Sequence, residues 1–348
     1  MRPVRIESKY SHKVIINYRI TEKCNYSCPY CFFKSRNSTD LESDYASIQN
    51  VFYNLKYVID YYREQGREVE IFLTGGEPSL YPIDVYERLF DIIDQGMVGK
   101  LTLSTNFSAE PKWFLDFSER CRDKTNFEIK AAFHPTEITF EEYYNNVKKV
   151  KDAPNRFVAH FTFDDDNFIG MQKINEIKDL GVDLDIVLIH AKAKDVDIID
   201  VIGNDVGTVN VTNEDLLALT SKQKKVAVKS YTVYYSNGKT EDVTKKEVRM
   251  MDFSKHPPIC YHTDLTIMHD KIGINCEYMR SIGRVDRELW KNIGEKVLSK
   301  QEIFDYLKKE CALKCDRQKC NVGNNCTPCL LEFPKETLWE KIKNTVKK

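Results

Sequence analysis

The stretch EKCNYSCPYCFF, residues 22–33, decides how the fold is interpreted, because it places three cysteines close together directly after an apolar run. That run, VIINYRI at 14–20, predicts a β-strand that leads into the cysteines. Four thiolates would complete a tetrahedral zinc site or ligate every iron of a [4Fe–4S] cube. Cys24, Cys28 and Cys31 leave one metal position open, where a ligand or a substrate could bind. A structural zinc site with a fourth ligand from elsewhere in the chain is the alternative.

The composition narrows the class of protein. The 348 residues include 52 Lys and Arg and 53 Asp and Glu, which gives a formal net charge of −1. This balance makes a nucleic-acid partner unlikely, because such partners are attracted by an excess of positive charge. No apolar run approaches the roughly 20 residues of a membrane span, and the N-terminal residues carry no apolar signal region. We therefore expect no membrane partner and a cytoplasmic location.

The cysteines are unevenly distributed. The chain has 11, of which four lie in the first 259 residues and seven between 260 and 329. In a reducing compartment such cysteines are not expected to form disulfides. Their clustering therefore predicts metal in two separate places, and Cys121, which stands apart from both, is predicted to be a packing residue.

Strands and helices alternate along the first 190 residues. The predicted strands are 14–20, 69–74, 100–105, 127–133, 156–163 and 184–190. Amphipathic segments between them predict helices at 43–64, 82–95, from Pro111, at 139–150 behind a Thr cap, and at 168–180 before Gly181. Six such alternations predict an α/β fold with a parallel sheet, either doubly wound or an incomplete barrel.

In either arrangement the functional loops follow the carboxyl ends of the strands. The cysteines follow the first strand, Gly75–Pro78 the second, Asn106 the third and His134 the fourth. We therefore expect one active site at this shared edge. The other histidines are predicted to be structural; they are His12, His160, His190, His256, His262 and His269.

Beyond residue 190 the pattern changes. Residues 212–225 predict a helix, a β-hairpin turns at Asn237-Gly238, and a lysine-rich helix closes the chain at 335–348. The predicted organisation is a core at 1–195, a connecting helix and hairpin at 196–254, and a cysteine-rich domain at 255–348.

Two motifs give the chain a resemblance to a known family. Cys24-x3-Cys28-x-Tyr30-Cys31 after the first strand and TGGEP at 74–78 after the second resemble the radical S-adenosylmethionine (SAM) superfamily. The resemblance implies a partial (β/α)6 barrel and a [4Fe–4S] cluster on the three cysteines, whose open iron chelates the methionine part of SAM. It also implies a reducing electron donor, such as flavodoxin or ferredoxin, and cleavage of SAM to a 5′-deoxyadenosyl radical that abstracts hydrogen from a substrate.

The same resemblance assigns cofactor-binding roles to residues of the motifs and strand ends. Gly75 and Gly76 would lie close to the SAM methionine, and Glu77, followed by Pro78, would receive its ammonium group. The remaining expected contacts are Tyr30 near the adenine, Ser104 and Asn106 at the methionine or ribose, and Lys130 and His134 at the SAM carboxylate, the ribose or the substrate.

The late cysteines resemble the SPASM and twitch extensions of radical SAM enzymes, which hold one or two auxiliary [4Fe–4S] clusters. Cys260 and Cys276 flank a predicted strand, a turn at 270–273 and a second strand. By analogy they pair with Cys326 and Cys329, which leaves Cys311, Cys315 and Cys320 for a second site. Seven thiolates are one fewer than two fully ligated cubes need. A zinc-stabilised knot is the alternative.

The expected substrate is a peptide, modified by oxidation, cross-linking or epimerisation with participation of the auxiliary clusters. The alternative is a small metabolite, namely a sugar, an aminocyclitol or a nucleotide. A different class is also open: an iron–sulfur protein that binds partners or relays electrons without cleaving SAM.

Overall fold

The computed structural model describes part of the chain. The described residues are 3–9, 11–29, 31, 41–163, 169, 171–189, 198–200, 231–244, 247–248, 251, 259–261, 264–274, 291–310, 312–314 and 330–332. The predicted helices at 212–225 and 335–348 lie outside them, as do Tyr30, His190, His256, His262 and every late cysteine except the backbone of Cys260.

Sixteen strands and six α-helices occur in the described residues. The strands are β1 Pro3–Ser8, β2 Lys13–Arg19, β3 Glu68–Thr74, β4 Lys100–Thr105, β5 Asn126–Phe133, β6 Arg156–Phe163, β7 Asp183–Ile189, β8 Ile198–Asp200, β9 Tyr231–Tyr235, β10 Thr240–Val243, β11 Ile259–Tyr261, β12 Asp264–Met268, β13 Lys271–Ile274, β14 Lys291–Asn292, β15 Ala312–Lys314 and β16 Leu330–Glu332. The helices are α1 Glu42–Arg63, α2 Glu87–Asp94, α3 Pro111–Cys121, α4 Phe140–Val150, α5 Met171–Lys178 and α6 Lys300–Glu310, with two short 3-10 helices at Pro78–Leu80 and Ile83–Tyr86.

The strand order identifies the architecture. The larger sheet runs β14-β13-β12-β2-β3-β4-β5-β6-β7-β8, and β2 to β7 are parallel neighbours in chain order. A doubly wound sheet would reverse its order at a switch point. The unreversed order therefore corresponds to an incomplete barrel, and all six predicted strands are confirmed within one residue at each end.

The two faces of this barrel sheet differ in chemistry. One face packs on the helices through alternate apolar residues, such as Ile129 in β5, Ala159 in β6 and Ile186 in β7. The residues between them point to the opposite face, here called the inner face. The inner face is largely polar.

An ion-pair ladder crosses the inner face at the amino ends of β4 to β7. Lys100 approaches Glu128 at 3.4 Å, and Arg156 contacts both Glu128 and Asp183, the latter at 2.7 Å. Glu128 is 3% exposed, and these two cationic partners compensate for the burial of its carboxylate. The ladder is the lowest polar layer of the inner face on these strands.

The structure confirms two local predictions, the cap of a helix and the turn of a hairpin. Thr139 caps α4, where it forms a capping box with Glu142. The predicted hairpin is formed by β9 and β10, and Gly238 takes the positive φ of 83° that its turn requires. None of the helices among the described residues combines the length and apolar character that a bilayer crossing requires.

Late segments of the chain extend the barrel sheet. β12 pairs in parallel with β2, with Leu265 opposite Ile16, and β13 and β14 follow outward. Asn54 of α1 is fully buried and bonds to the following segment three times: it donates to the carbonyls of Ile293 (2.7 Å) and Lys296 (2.8 Å) and accepts from the amide of Leu298 (2.8 Å). Residues 264–274 and 291–310 thus contribute to the barrel itself.

The second sheet runs β10-β9-β1-β16-β11-β15. Its strand β1 comes from the start of the chain and lies between β9 and β16. Strands from three separate parts of the sequence thus pair in one sheet, and the division into 1–195, 196–254 and 255–348 stays a prediction. Local periodicity could not show this, because pairing between distant strands leaves no local pattern.

We predict that Asn54→Ala destabilises the protein by about 2–3 kcal/mol, because three backbone groups lose their partner, two of them in buried hydrogen bonds. Thermal unfolding would measure the loss, and hydrogen exchange should increase in residues 291–310. Asn145→Ala on the exposed side of α4 is the matched control, since among the described residues its side chain bonds only to Glu141 on the same helix. Equal effects of the two changes would contradict this role of Asn54.

Candidate active site

The glycine motif after β3 packs against the base of the cysteine loop. The amide of Gly76 donates to the carbonyl of Thr21 at 2.7 Å, and that of Glu77 to the carbonyl of Lys23 at 2.8 Å. A Cβ atom on Gly76 would overlap the Lys23 carbonyl, and one on Gly75 would overlap that of Thr21. Gly75 also has a φ of 143°, which side-chain-bearing residues rarely adopt. The structure thus gives both glycines a role inside the protein, and their predicted closeness to SAM stays a prediction.

Glu77 is fully buried and hydrogen-bonded on both carboxylate oxygens. Oε1 accepts from the amide (2.8 Å) and hydroxyl (2.6 Å) of Ser79 and from the hydroxyl of Thr105 (2.6 Å), and Oε2 accepts from the amide of Asn106 (2.5 Å). Burial raises the pKa of Glu77, and these hydrogen bonds oppose the rise. Glu77 therefore ties the ends of β3 and β4 together. The structure does not test whether it also receives the ammonium of SAM.

Asn106 connects that carboxylate to the first cysteine. Its Nδ2 donates to Asn25 Oδ1 at 2.9 Å and lies 3.6 Å from Cys24 Sγ, which also accepts from the amide of Tyr26 at 3.4 Å. Burial raises the pKa of the Cys24 thiol, against these two donors. A bound metal would supply the positive charge that a half-buried thiolate needs.

His134 lies beside the second cysteine. Its Nδ1 is 3.4 Å from Cys28 Sγ, and its ring meets that of Tyr26 edge-on at 5.8 Å. Burial, with a smaller contribution from His160, lowers the pKa of His134 to about 4. The imidazole is therefore neutral near pH 7. The third cysteine, Cys31, is exposed at the tip of the loop.

A carboxylate on α1 holds the base of the same loop. Asp44 accepts from the hydroxyl of Tyr81 at 2.7 Å and pairs with Lys23 at 3.0 Å. His269, in the turn between β12 and β13, approaches Asp44 at 3.3 Å. Burial opposes ionisation of Asp44, but the hydrogen bonds from Tyr81 and Lys23 keep its pKa below the usual value. The hairpin between Cys260 and Cys276 therefore touches the carboxylate that anchors the cysteine loop.

Three other predicted site residues have separate positions. Pro78 opens a 3-10 helix, and its carbonyl accepts from the hydroxyl of Tyr86 at 2.7 Å. Ser104 alternates with the core residues of β4 and lies on the inner face. Lys130 lies below the edge, four residues before His134, and pairs with Asp185 at 2.5 Å.

Sequence reasoning missed the partners of Lys130. His160 Nδ1 lies 3.0 Å from the same Asp185 oxygen, Oδ2. The available signal was alternation, since each of these three polar residues sits between apolar neighbours in its strand. Cys121, by contrast, is fully buried in the core as predicted, and burial raises its pKa to about 12.

The donor set of the loop fits an iron–sulfur cluster. Three thiols lie on one loop, amide donors support the sulfur of Cys24, and an imidazole lies beside Cys28. Hydrogen bonds of this kind to ligand sulfurs tune cluster potentials. Within the described residues no three His, Cys, Asp or Glu side chains gather around one point as ligands of a single ion. The ligands of a cube bind separate irons and need not gather in that way.

Comparison with protein families agrees with this geometry. Residues 18–169, which include the cysteine loop, the glycine motif, Asn106 and His134, match the model of the radical SAM superfamily. These residues are a radical SAM domain. The family implies a [4Fe–4S] cluster and SAM as cofactors of the domain.

Curated relatives match this chain over short segments. S-adenosylmethionine-dependent nucleotide dehydratases of a Fibrobacter species and of Selenomonas ruminantium are 32% and 34% identical over 99 and 93 residues, 27% of this chain in each case and 28% and 30% of theirs. An uncharacterised protein of Methanocaldococcus jannaschii is 30% identical over 73 residues, 21% of this chain and 22% of its own. The matches thus span less than a third of each relative.

Among solved structures, coproporphyrinogen III oxidase of Escherichia coli, described as a radical SAM enzyme, superposes with a TM-score of 0.45 at 9% identity. The superposition covers 88% of this chain and 73% of that one.

We predict that Gly76→Ala prevents stable assembly of the cluster, because the added methyl group displaces the Lys23 carbonyl at the base of the cysteine loop. Iron and sulfide per chain after anaerobic reconstitution would measure the effect. Gly66→Ala is the control, since a Cβ there meets no atom within 4 Å. Its φ of 73° costs it roughly 1 kcal/mol of stability, so it also controls for mild destabilisation. Normal iron content in the Gly76 variant would contradict this role.

Proposed function

We propose that the protein is a radical SAM enzyme whose substrate is a small polar metabolite of the nucleotide class. The observation that supports radical SAM chemistry lies at the strand ends. There Glu77, Asn106 and Cys24 form one hydrogen-bonded unit within the residues that match the family. When bound, the cluster and SAM supply a 5′-deoxyadenosyl radical that abstracts hydrogen. The chain fixes the base of the cysteine loop through hydrogen bonds from the amides of Gly76 and Glu77.

Two observations favour a nucleotide over a peptide. Two relatives are named nucleotide dehydratases, although the matched segments are short. The inner face below the cysteine loop also carries Lys130, Asp185 and His160, whose charges and hydrogen-bonding groups suit a small polyfunctional substrate. Peptide modification, the expectation from the sequence, has no comparable support from the described contacts.

The first experiment measures 5′-deoxyadenosine formed by anaerobically reconstituted protein with SAM and a reductant, with and without each of the four ribonucleoside triphosphates. We expect at least one nucleotide to stimulate its formation and to be consumed. We propose flavodoxin or ferredoxin as the physiological donor, to be compared with a chemical reductant in the same assay. An absence of 5′-deoxyadenosine under full cluster loading would instead favour an electron-relay protein.

We predict that Cys28→Ala reduces 5′-deoxyadenosine formation to background, because one iron loses its thiolate ligand. Cys121→Ala is the matched control, since it removes a thiol from the core rather than from the loop. Retained activity in the Cys28 variant, or equal losses in both, would contradict a catalytic cluster on this loop.

We further propose that the late cysteines hold auxiliary iron–sulfur clusters. β11, which contains Cys260, lies between β15 and β16, with Leu313 and Leu331 opposite Cys260. β15 follows Cys311 directly in the sequence, and β16 follows Cys329. This adjacency supports a shared metal site in the second sheet.

We predict that the triple variant Cys24→Ala, Cys28→Ala, Cys31→Ala loses about four irons per chain and retains the rest. Metal analysis after reconstitution would measure this. Retention of zinc rather than iron would support the zinc-stabilised knot. If the variant retains no metal, the proposed auxiliary site is wrong.

A further inference from the structure

Lys130, Asp185 and His160 form a charged cluster on the inner face, and the contacts expected from the sequence include only Lys130 among them. Asp185 Oδ2 pairs with Lys130 Nζ at 2.5 Å and with His160 Nδ1 at 3.0 Å. The three side chains come from β5, β6 and β7 and are 28%, 16% and 21% exposed for Lys130, Asp185 and His160. They are therefore held in place but remain accessible from one side.

The cluster lies between two other layers of the inner face. The ion-pair ladder is two residues below it, at Glu128 in β5 and Asp183 in β7. Four residues above Lys130, about 13 Å along the strand, His134 meets Cys28. A ligand that reaches the cluster from the cysteine loop therefore has to span about 13 Å.

The hydrogen-bonding pattern of the cluster leaves defined groups for a ligand. Both protein donors use the same carboxylate oxygen, and none of the described residues hydrogen-bonds to the other oxygen, Oδ1, of Asp185. Lys130 has three N–H donors, and within the described part of the chain it uses one, toward Asp185. A carboxylate acceptor and an ammonium donor thus lie side by side.

This pair suits a hydroxyl group better than a phosphate. A hydroxyl donates one hydrogen bond and accepts others, so it can bond to Asp185 and Lys130 together. A phosphate has only acceptors at the ester oxygens and would meet the negative charge of Asp185. Although burial raises the pKa of Asp185, the hydrogen bonds from His160 and Lys130 keep it well below its usual range, so the acceptor stays ionised near pH 7.

We propose that Lys130 and Asp185 form a subsite that binds the sugar hydroxyls of the substrate, with His160 as the positioning residue that fixes the Asp185 carboxylate. The inference rests on the proposed nucleotide substrate and specifies which part of it is recognised. The ribose of SAM offers the same chemistry, and the experiment separates the two sources.

The test measures equilibrium binding of ribonucleoside triphosphates and of their 2′-deoxy and 3′-deoxy counterparts to the cluster-loaded protein with SAM. We expect the ribonucleotide to bind about 10- to 100-fold more tightly than at least one deoxy analogue, since loss of a hydroxyl leaves charged groups without a partner. This comparison uses the unaltered protein and needs no variant to fold. Equal affinities would overturn the subsite and leave the proposed function standing.

Variants show which residues cause the preference for the ribonucleotide over its deoxy analogues. Lys130→Met and Asp185→Asn should each remove most of the preference for the ribonucleotide, and His160→Gln, which keeps a donor for the carboxylate, should retain more of it. Lys100→Met is the matched control, because it removes another inner-face lysine that pairs with Glu128 in the ladder. The Lys100→Met variant should prefer the ribonucleotide to the same extent as the unaltered protein.

Affinity for SAM is measured in the same variants. If Lys130→Met or Asp185→Asn weakens SAM binding and leaves the ribonucleotide preference unchanged, the pair binds the cofactor and the proposal is wrong. If no nucleotide binds and none stimulates 5′-deoxyadenosine formation, the proposed function fails, and the subsite fails with it.

Discussion

The close approach of two backbone segments is the constraint on which the site depends. The turn after β3 can lie against Thr21–Lys23 because Gly75 and Gly76 carry no side chain. The amides of that turn satisfy the carbonyls of the loop, and the buried Glu77 then fixes the neighbouring strand end through Asn106. Three cysteines on a loop would otherwise have no fixed position. The stiffness of this unit comes from hydrogen bonds made away from water, where leaving a donor or an acceptor unpaired is costly.

Apolar and polar residues alternate along the strands, so the barrel sheet has one apolar face and one polar face. Apolar residues face the helices and supply the core, while polar residues face inward and form successive layers. The lowest layer is closed by ion pairs such as Arg156 with Asp183, the middle layer keeps hydrogen-bonding capacity at Lys130 and Asp185, and the top layer carries the thiols. The two-residue alternation of side chains thus places core residues on one face of the sheet and groups available to a ligand on the other.

Much of the barrel could be predicted because its signals are local. Strand periodicity, the Thr139 cap and the position of each loop after its strand are all readable within a few residues. The gathering of Asn106 and His134 near the cysteines follows from parallel strand order alone. His160 was predicted to be structural, and nothing local in the sequence links it to its partner Asp185, which lies 25 residues later in another strand. The pairing of β1 and β12 was missed for the same reason, since both strands find partners far away in the sequence.

The placement of β1 has a consequence for how the protein forms during translation. Its two neighbours, β9 and β16, are synthesised more than 220 and 320 residues later. At ribosomal speeds of about 5–20 residues per second, the nascent strand waits on the order of tens of seconds for its final neighbour. Arg5, Glu7 and Lys9 place charges along that waiting segment, which discourages premature association with other chains. β1 thus leaves the ribosome well before the two strands that enclose it.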